Sequence, residues 1–419
     1  MTSSAQVSLT YHPQVLSEFR NNPLIEVLPP PPSSDAAVRA ALDRAPAFSE
    51  DERGLDNAQR RLMCGRLKRD FFVTSMQHVS MAYRITELIP AGYLGRNPLQ
   101  AKGRGLQHGF GEGAAESALS MLISLSGSGK TTTVSNILTG LIGPQQILHT
   151  LYQGVPFHQM QVPYLKVICP ASGDIKHFFK AAIDAVDDVA GTNYWELECD
   201  LRSPPGELQQ VMEQALRAQN VGLFWMDECQ NLALGLGSDR DRLVETVVQL
   251  RETVKVPILL SGTYRAAKMF DGVLAAGRRA VEGGYLELNR PAGPEDVRWR
   301  EFCEQMWRYQ WVRKPGPLDE PIIATLWELS QGVPGIVLPL FIQAQKAAID
   351  LQIERVTAGL LKRVYRELFV PVHAALNALR SGPKGSGIER YEDLLPKKTF
   401  DWKSGDNEGL RGRKPKDAP

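Results

Sequence analysis

Short apolar runs alternate with longer stretches of helical periodicity between about Leu119 and Arg290. The apolar runs ALSMLISL, YLKVICP, VGLFWMDE, VPILLSGT and GYLELNR have the length and composition of buried strands. The segments between them, such as IKHFFKAAIDAVDDVAG and RDRLVETVVQLRETV, repeat apolar residues at the spacing of an amphipathic helix. Strands that alternate with helices favour a parallel sheet covered by crossover helices. We therefore predict an α/β fold.

The region before this alternation has a different pattern. The Pro-rich stretch Pro29–Pro32 predicts an extended arm, and Ser34 or Asp35 can cap a short amphipathic helix after it. Apolar residues then recur at helical spacing from about Asp56 to Thr86, and a glycine-rich segment separates them from the first strand. We expect an N-terminal arm and a helical extension ahead of the sheet.

The region after the last predicted strand is helical to about Ser381, with a break at the GVPG sequence, Gly332–Gly335. This pattern is typical of a small helical lid. The final residues are rich in Gly, Pro, Lys and Asp and predict a flexible tail. Its two apolar islands, Tyr391–Leu395 and Phe400–Trp402, dock either on a partner or on the chain's own body. The predicted domains are residues 1–110 (arm and helical extension), 111–292 (core), 293–380 (lid) and 381–419 (tail).

Composition narrows the class of protein. The chain has 48 Lys and Arg residues against 47 Asp and Glu residues, so any binding to DNA needs a local basic face made by folding or assembly. The apolar runs are far shorter than the ~20 residues of a membrane-spanning helix, and the N-terminus lacks a secretory pattern, which predicts a cytoplasmic protein. Five scattered cysteines without a C-x-x-C pair predict reduced, mostly buried thiols and no structural zinc.

The segment SLSGSGKT, residues 124–131, lies directly between a predicted strand and a predicted helix. Its glycines let consecutive backbone N–H groups turn toward a phosphate chain, and the following helix directs its positive end there. Lys130 adds a charge for the β- and γ-phosphates, and Thr131 has the hydroxyl that holds magnesium in such loops. This P-loop predicts a site for ATP and Mg²⁺. We assign to it Ser126, Gly127, Ser128, Gly129, Lys130, Thr131 and Thr132.

One position departs from the common pattern G-x-x-x-x-G-K-[ST], because Ser124 stands where the first glycine is usual. If that position requires a positive φ, serine costs on the order of 1 kcal/mol there. Such a cost weakens nucleotide binding without abolishing it. Slow hydrolysis is therefore one expectation from the sequence.

A second motif completes the predicted nucleotide site. The apolar strand VGLFWMDE ends in two adjacent carboxylates, Asp227 and Glu228. From their positions we expect Asp227 to hold magnesium together with Thr131, and Glu228 to reach the water that attacks the γ-phosphate. An acidic pair after a strand also occurs as a simple helix cap, but the P-loop favours the catalytic interpretation. The sequence predicts an ATPase.

Two further groups are candidates for the reaction. The strand VPILLSGT ends in hydroxyl residues, and we favour Thr263 over Ser261 as a polar sensor of the γ-phosphate, although a turn-capping hydroxyl is an equal alternative. Arg278 and Arg279 precede the last strand, where an arginine can reach across a subunit boundary into a neighbour's nucleotide site. A surface turn without function is an alternative for these arginines.

Several longer stretches resemble the TnsC/TniB regulators of Tn-seven-like transposons over roughly residues 20–370. They are NPLIEVLPP, AGYLGRNPL, VPYLKVICPASGDIKHFF followed by AVDDVAGTNYW, FWMDECQNL and SQGVPGIVLPLFIQAQKAAI. Apart from the acidic pair, these stretches are not generic ATPase motifs, and they occur in the order that the family has.

This resemblance implies an AAA+ core of the initiator-like clade, which binds ATP at subunit interfaces and forms rings or helical filaments on double-stranded DNA. Such proteins link a target selector of the TnsD/TniQ class, in some systems a CRISPR complex, to a TnsA/TnsB-type transposase. The implied function is ATP-dependent regulation of DNA transposition in the bacterial cytoplasm. The resemblance also implies that Tyr93, Arg96 and Asn97 lie against the adenine base, and that Lys176 and Thr192 contact DNA phosphates.

One further departure from the family pattern concerns the lid. Ile336 and Val337 stand where many AAA+ proteins place a second sensor arginine, so we expect the lid to couple weakly to the γ-phosphate. Other functions stay open at this point. They are a different AAA+ DNA machine such as a replication initiator or helicase loader, a non-hydrolysing scaffold on DNA that is switched by ATP, and a signalling ATPase without a DNA role.

Overall fold

The computed structural model describes residues 9–107, 118–234, 238–267 and 283–381. Within these ranges the strands are β1 (Leu119–Ser124), β2 (Ile147–Tyr152), β3 (Val155–Gln161), β4 (Leu165–Ile168), β5 (Phe224–Asp227), β6 (Ile258–Gly262) and β7 (Tyr285–Leu288). The helices before β5 are α1 (Pro23–Glu26), α2 (Asp35–Leu42), α3 (Asn57–Met63), α4 (Arg66–Asp70), α5 (Met76–Tyr93), α6 (Ala101–Gln107), α7 (Lys130–Ile137), α8 (Ile175–Ala190), α9 (Tyr194–Glu198) and α10 (Pro205–Ala218). The later helices are α11 (Ser238–Val254), α12 (Tyr264–Ala267), α13 (Val297–Trp307), α14 (Glu320–Ser330), α15 (Pro334–Asp350), α16 (Ala358–Leu368) and α17 (His373–Ser381).

The predicted parallel sheet is confirmed. Strands β4, β5, β6, β1 and β7 lie side by side in that order, and every neighbouring pair is parallel. The register pairs Ile123 with Gly262 and Met226 with Leu260, so the carboxyl ends of β1, β5 and β6 meet at one edge. The P-loop and the acidic pair both follow strands that end at this edge. The sheet therefore brings the two predicted motifs together.

Alternation along the strands divides their apolar side chains between two cores. Met121 and Ile123 pack with residues of α8, α10 and α11 on one face, whereas Leu122 packs with α5 and α7 on the other face. Both faces are therefore covered by helices, as is usual for parallel sheets. The chain therefore has an α/β core that contains the P-loop, followed by a helical C-terminal region.

The hairpin of β2 and β3 is an addition that the periodicity did not predict. The two strands pair antiparallel outside the main sheet. Their turn contains Gln153 and Gly154, which both have positive φ, as a tight hairpin turn requires. Leu148, Leu151 and Val155 remain more than half exposed on this hairpin. Because so few of its positions are buried, the segment lacks a clear apolar alternation.

The helical extension differs from the single helical region that we predicted for residues 56–86. It is divided into α3, α4 and α5, and Phe72 forms an isolated antiparallel bridge with Arg44 between α4 and α5. Cys64, Leu67 and Phe71 pack in the core of the lid, whereas residues of α5 pack against the sheet. The extension thus crosses from the lid to the sheet. The domain boundaries themselves stay predictions.

Polar contacts fasten the extension to the lid. The buried guanidinium of Arg60 donates to both carboxylate oxygens of Glu354, at 2.7 and 2.8 Å, and to the carbonyl of Trp311 at 3.0 Å. This pair lowers the pKa of Glu354, chiefly through the hydrogen bond from Arg60. Other local predictions are confirmed, since Ser34 caps α2 and the helical pattern breaks between α14 and α15 at the GVPG sequence.

Candidate functional site

The P-loop connects the end of β1 to the start of α7. Gly127 and Gly129 have φ of +79° and +92°, values that favour glycine, and the Cβ of a side chain at Gly129 would meet no atom within 4 Å. The hydroxyl of Ser128 donates to the carbonyl of Leu125 at 2.7 Å and closes the turn. Lys130 is buried at the start of α7, with Nζ 3.4 Å from the same carbonyl. The loop therefore has the open, N–H-lined curve that accommodates phosphates.

Ser124 causes no backbone strain. It is the last residue of β1, is fully buried, and is not among the residues with positive φ. Its hydroxyl donates to the carbonyl of Leu125 at 3.1 Å. The expected cost of a left-handed serine is therefore wrong, because this position is extended in the chain. Ser124 gives no physical reason for weak nucleotide binding.

Asp227 is the point where the two motifs meet. Thr131 donates its hydroxyl hydrogen to Oδ2 of Asp227 at 2.7 Å, and Ser261 donates to Oδ1 at 2.7 Å. Lys166 of β4 lies 3.2 Å from Oδ2. A hydroxyl and a carboxylate oxygen are ligands that suit magnesium, so Thr131 and Asp227 fit the metal that the fold implies. The sheet places this pair at the foot of the P-loop.

Glu228 follows Asp227 in a strained conformation. Its φ of +56° is unusual for a residue with a side chain, and such strain occurs most often at functional sites. Gln230 donates from Nε2 to the Glu228 carboxylate, while its Oε1 accepts the N–H of Thr263 at 3.0 Å. The backbone donor at Thr263 fixes the orientation of the amide, so the NH₂ end faces Glu228. Gln230 thus connects the predicted catalytic carboxylate to the predicted sensor segment.

The two hydroxyls after β6 have different surroundings. Ser261 is fully buried and its Oγ joins Asp227 to the indole N–H of Trp225, which donates at 2.8 Å. Thr263 is buried beyond the end of the strand and lies beside Gln230. Ser261 therefore positions Asp227, which leaves Thr263 as the predicted sensor.

Tyr93, Arg96 and Asn97 lie away from the P-loop, contrary to the expected adenine pocket. Tyr93 donates to the carbonyl of Asn220 and Arg96 to the carbonyl of Val221, both at 2.7 Å. These carbonyls precede β5, so they belong to the amino edge of the sheet, opposite the P-loop. Asn97 is buried and donates to the carbonyl of Asn21 at 2.7 Å. The three side chains attach the extension to the rest of the chain, so we no longer assign them to the nucleotide site.

A different cleft borders the P-loop, and the sequence reasoning missed it. We call it the Ser128 cleft. It lies between the extension, the end of β7 and the lid. Its lining includes Thr74, Ser75, Gln77 and His78 of the extension, Ser128, Leu288, Asn289 and Arg290 of the core, and Trp299, Phe302, Gly332 and Pro334 of the lid. The mixture of apolar and hydrogen-bonding groups beside the phosphate loop suits a nucleoside.

The lid touches the P-loop through its main chain. The N–H of Gly335 donates to the carbonyl of Gly127 at 2.9 Å. A Cβ at Gly335 would lie 3.0 Å from that oxygen, which explains why a glycine occupies this place. The GVPG turn therefore contacts the phosphate loop directly, although Ile336 and Val337 provide no sensor arginine.

The predicted DNA contacts lie at opposite ends of α8. Nζ of Lys176 is exposed and lies 3.3 Å from the carbonyl of Leu201. The hydroxyl of Thr192 donates to Asp187 at 2.7 Å, and the same carboxylate accepts the N–H groups of Tyr194 and Trp195. Thr192 thus helps to start α9. The DNA role of both residues stays a prediction. Arg278 and Arg279 lie outside the described residues.

The described residues also bear on two other kinds of site, a metal cluster and a membrane-spanning helix. Residues 9–107, 118–234, 238–267 and 283–381 contain no group of three His, Cys, Asp or Glu side chains placed to hold a metal ion. In the same ranges no helix is long and apolar enough to cross a membrane. Four of the five cysteines are buried, and burial raises the pKa of the Cys229 thiol to about 12.

Part of the chain matches a known family model. Residues 115–270 match the family model described as an AAA domain. No curated protein matches the chain. Among solved structures the chain is similar to the Walker-type ATPase PABY2304 of Pyrococcus abyssi, with 14% identity, a TM-score of 0.41, and coverage of 64% of this chain and 71% of that one.

Two further solved structures show a comparable likeness. The ORC2 protein of Aeropyrum pernix, described in ADPNP–ADP complexes, has 13% identity and a TM-score of 0.41 over 68% of each chain. Cdc6p of Pyrobaculum aerophilum has 11% identity and a TM-score of 0.42 over 75% of this chain and 74% of that one. The matched AAA domain includes β1, the P-loop, β5, the acidic pair and β6.

Proposed function

We propose that this chain is a magnesium-dependent ATPase that assembles on double-stranded DNA and regulates DNA transposition. The hydrogen bond of 2.7 Å between Thr131 and Asp227 carries the ATPase part, because it joins the phosphate loop to the acidic strand. The stretches that resemble TnsC/TniB regulators support the DNA and transposase part. The AAA domain supports the ATPase part.

In this proposal different residues of the chain bind the phosphates, hold the metal and activate the water. The N–H groups of the P-loop and Lys130 bind the phosphates, and Thr131 and Asp227 hold the metal. Bound magnesium would neutralise charge on the phosphates as the reaction proceeds. Glu228 orients the attacking water and accepts its proton. The water oxygen bonds to the γ-phosphorus while the bond to the bridging oxygen of ADP breaks.

We place the nucleoside in the Ser128 cleft instead of the region of Tyr93, Arg96 and Asn97. Ser128 of the P-loop lines the cleft, and the lid contributes Pro334 to its lining. His78 lines it and accepts the N–H of Ser75 through Nδ1 at 2.9 Å. Because the extension, the core and the lid all contribute residues to the cleft, a bound nucleotide would contact all three regions.

The partners come from the resemblance. We propose that copies of the chain form a ring or a filament around duplex DNA and connect a target selector of the TnsD/TniQ class with a TnsA/TnsB-type transposase. Lys176 and Thr192 are proposed phosphate contacts, and Arg278 or Arg279 is the proposed finger in a neighbour's site. Phosphate contacts fix position without reading sequence, which suits a protein whose target another factor selects.

The test is electron microscopy of the protein with a non-hydrolysable ATP analogue, with and without duplex DNA. We expect rings or filaments only when both ligands are present, and none for Lys130→Ala. Assembly that needs ATP analogue but no DNA would favour a signalling ATPase. DNA-bound assemblies that do not stimulate a TnsA/TnsB-type transposase would favour a replication initiator or a helicase loader.

The chemistry needs a separate measurement. We expect phosphate release by the parent protein in the presence of magnesium and DNA, and its loss in Glu228→Gln. DNA assembly with ATP but without phosphate release in the parent would favour a non-hydrolysing scaffold.

A further inference from the structure

Lys166 is a charged residue within the otherwise apolar strand β4, and the predicted ATP reaction does not use it. The register places Lys166 opposite Trp225 of β5. Its side chain extends across the indole, with Nζ 4.6 Å from the ring centroid, and reaches Oδ2 of Asp227 at 3.2 Å. The lysine side chain is 28% exposed, whereas that of Asp227 is 2% exposed. A partly exposed cation therefore contacts a buried carboxylate.

The two oxygens of Asp227 have different partners. Oδ1 accepts the hydroxyl of Ser261 at 2.7 Å and the N–H of Glu228 at 3.1 Å. Ser261 in turn accepts the indole N–H of Trp225, so this side of the carboxylate is held by a buried chain of hydrogen bonds. Oδ2 meets the hydroxyl of Thr131 and the ammonium of Lys166. The Oδ2 side thus contacts the positively charged ammonium of Lys166.

We propose that Lys166 competes with the magnesium ion for Oδ2 of Asp227 and so sets the metal affinity of the site. The inference rests on the proposed function in one respect, namely that Thr131 and Asp227 form the metal site. A metal held there meets the same oxygen as the ammonium, directly or through water, and two cations on one oxygen repel each other. Lys166 therefore withdraws when the metal binds, and the face of Trp225 gives the ammonium a second favourable contact.

This arrangement has two consequences. Without metal, the ammonium places a positive charge beside the buried carboxylate of Asp227, which favours the folded state. With metal, the displacement of Lys166 opposes binding, so the site releases magnesium more readily than one without the lysine. The lysine thereby makes metal loading depend on nucleotide, because the phosphates supply the additional negative charge.

The probe is Mn²⁺ alone, measured by electron paramagnetic resonance on the full chain without nucleotide. We expect Lys166→Met to bind Mn²⁺ about 3- to 10-fold more tightly than the parent, because the competing charge is gone while the stem still covers Trp225. Lys166→Arg keeps the charge and should bind like the parent. In chelator, Lys166→Met should unfold at a lower temperature, and Mn²⁺ should restore its stability more than it raises that of the parent.

Lys180 offers a matched control. Its Nζ lies 4.4 Å from the ring centroid of Trp195 and is paired with Asp184 at 2.6 Å, but both groups belong to the surface of α8 and α9. Lys180→Met should leave Mn²⁺ binding unchanged. If Mn²⁺ binding changed whenever a lysine beside an indole and a carboxylate is removed, both Lys166→Met and Lys180→Met would show the change.

Three outcomes would overturn the inference. One is a folded Lys166→Met that binds Mn²⁺ with parental affinity or more weakly. Another is equal Mn²⁺ affinity in the parent and in Asp227→Asn, which would place the metal elsewhere. The third is a large loss of ATP-analogue affinity in chelator for Lys166→Met with unchanged Mn²⁺ binding, which would make the lysine a phosphate ligand. A parent that shows the predicted Mn²⁺ behaviour but binds no nucleotide would instead refute the proposed function.

Discussion

Thr131 and Asp227 are 96 residues apart in the sequence, yet the hydroxyl of one lies 2.7 Å from a carboxylate oxygen of the other. The contact depends on the strand order, because β6 lies between β1 and β5 and all three end at the same edge. The P-loop that follows β1 curves back over this edge.

Asp227 and Glu228 should separate metal binding from hydrolysis. Asp227→Asn keeps the size of the side chain but removes its charge, so we expect the magnesium concentration for half-maximal ATP binding to rise about tenfold or more. Glu228→Gln should bind ATP and DNA normally and lose about 100-fold or more in phosphate release, because the water loses its proton acceptor. Its DNA-bound assemblies should then persist. Parental phosphate release by Glu228→Gln would show that another group is the base.

Gln230 should affect turnover more than binding. Gln230→Glu keeps an acceptor for the N–H of Thr263 but places a carboxylate against Glu228, so we expect kcat to fall about tenfold while ATP affinity changes less than twofold. Gln209 donates to Glu213 at 2.9 Å on α10, far from the site, and Gln209→Glu is the control. An equal loss of ATP affinity and kcat in Gln230→Glu would indicate a general structural role.

Gly335 should transmit the lid position to the P-loop. Gly335→Ala adds a Cβ at 3.0 Å from the carbonyl of Gly127, so the turn must move away from the phosphate loop. We expect ATP affinity to fall about 3- to 10-fold with little loss of thermal stability. Gly206→Ala is a suitable control because its Cβ meets no atom within 4 Å. Unchanged ATP affinity in Gly335→Ala would mean that this lid contact does not matter for binding.

Acid should weaken the fold through His78. Burial lowers the pKa of His78 from 6.5 to about 4, with smaller contributions from Arg298 and Arg39. The folded chain therefore resists protonation of His78. The contribution of the neutral imidazole to the free energy of unfolding is fully present above pH 6.5 and is lost as the pH falls toward 4. Between pH 7 and pH 5 we expect the free energy of unfolding to fall by about 1–2 kcal/mol through this group. Chemical denaturation at the two pH values should show a smaller difference for His78→Gln, which keeps an acceptor for Ser75.

The link between extension and lid should be important for stability. Glu354→Gln removes the charge that faces the buried Arg60 guanidinium, and we expect a loss of about 3–5 kcal/mol in the free energy of unfolding. Arg363→Gln is a surface control, because Arg363 and its partner Glu367 are both about half exposed, so that pair contributes little. Equal effects of the two variants would mean that the extension is not held by this pair.

Features that depend on neighbouring residues could be predicted from the sequence. Apolar runs located the strands of the parallel sheet, because a strand buried on both faces needs continuous apolar residues. Ser34 marked a helix start, and the glycines marked the P-loop, since both features are properties of local backbone. The adjacent carboxylates after β5 identified the second half of the site for the same reason.

Which distant groups share a site depends on the three-dimensional packing of the chain. The sequence around Arg96 would be the same whether its side chain faced a nucleotide or the amino edge of the sheet. The packing of the extension places it at the amino edge. Lys166 appeared in the sequence as one charge in an apolar strand, and only the register with β5 directed it to Asp227. Periodicity reports how deeply a residue is buried, whereas the identity of its partner depends on the order of the strands and on how the helices cover them.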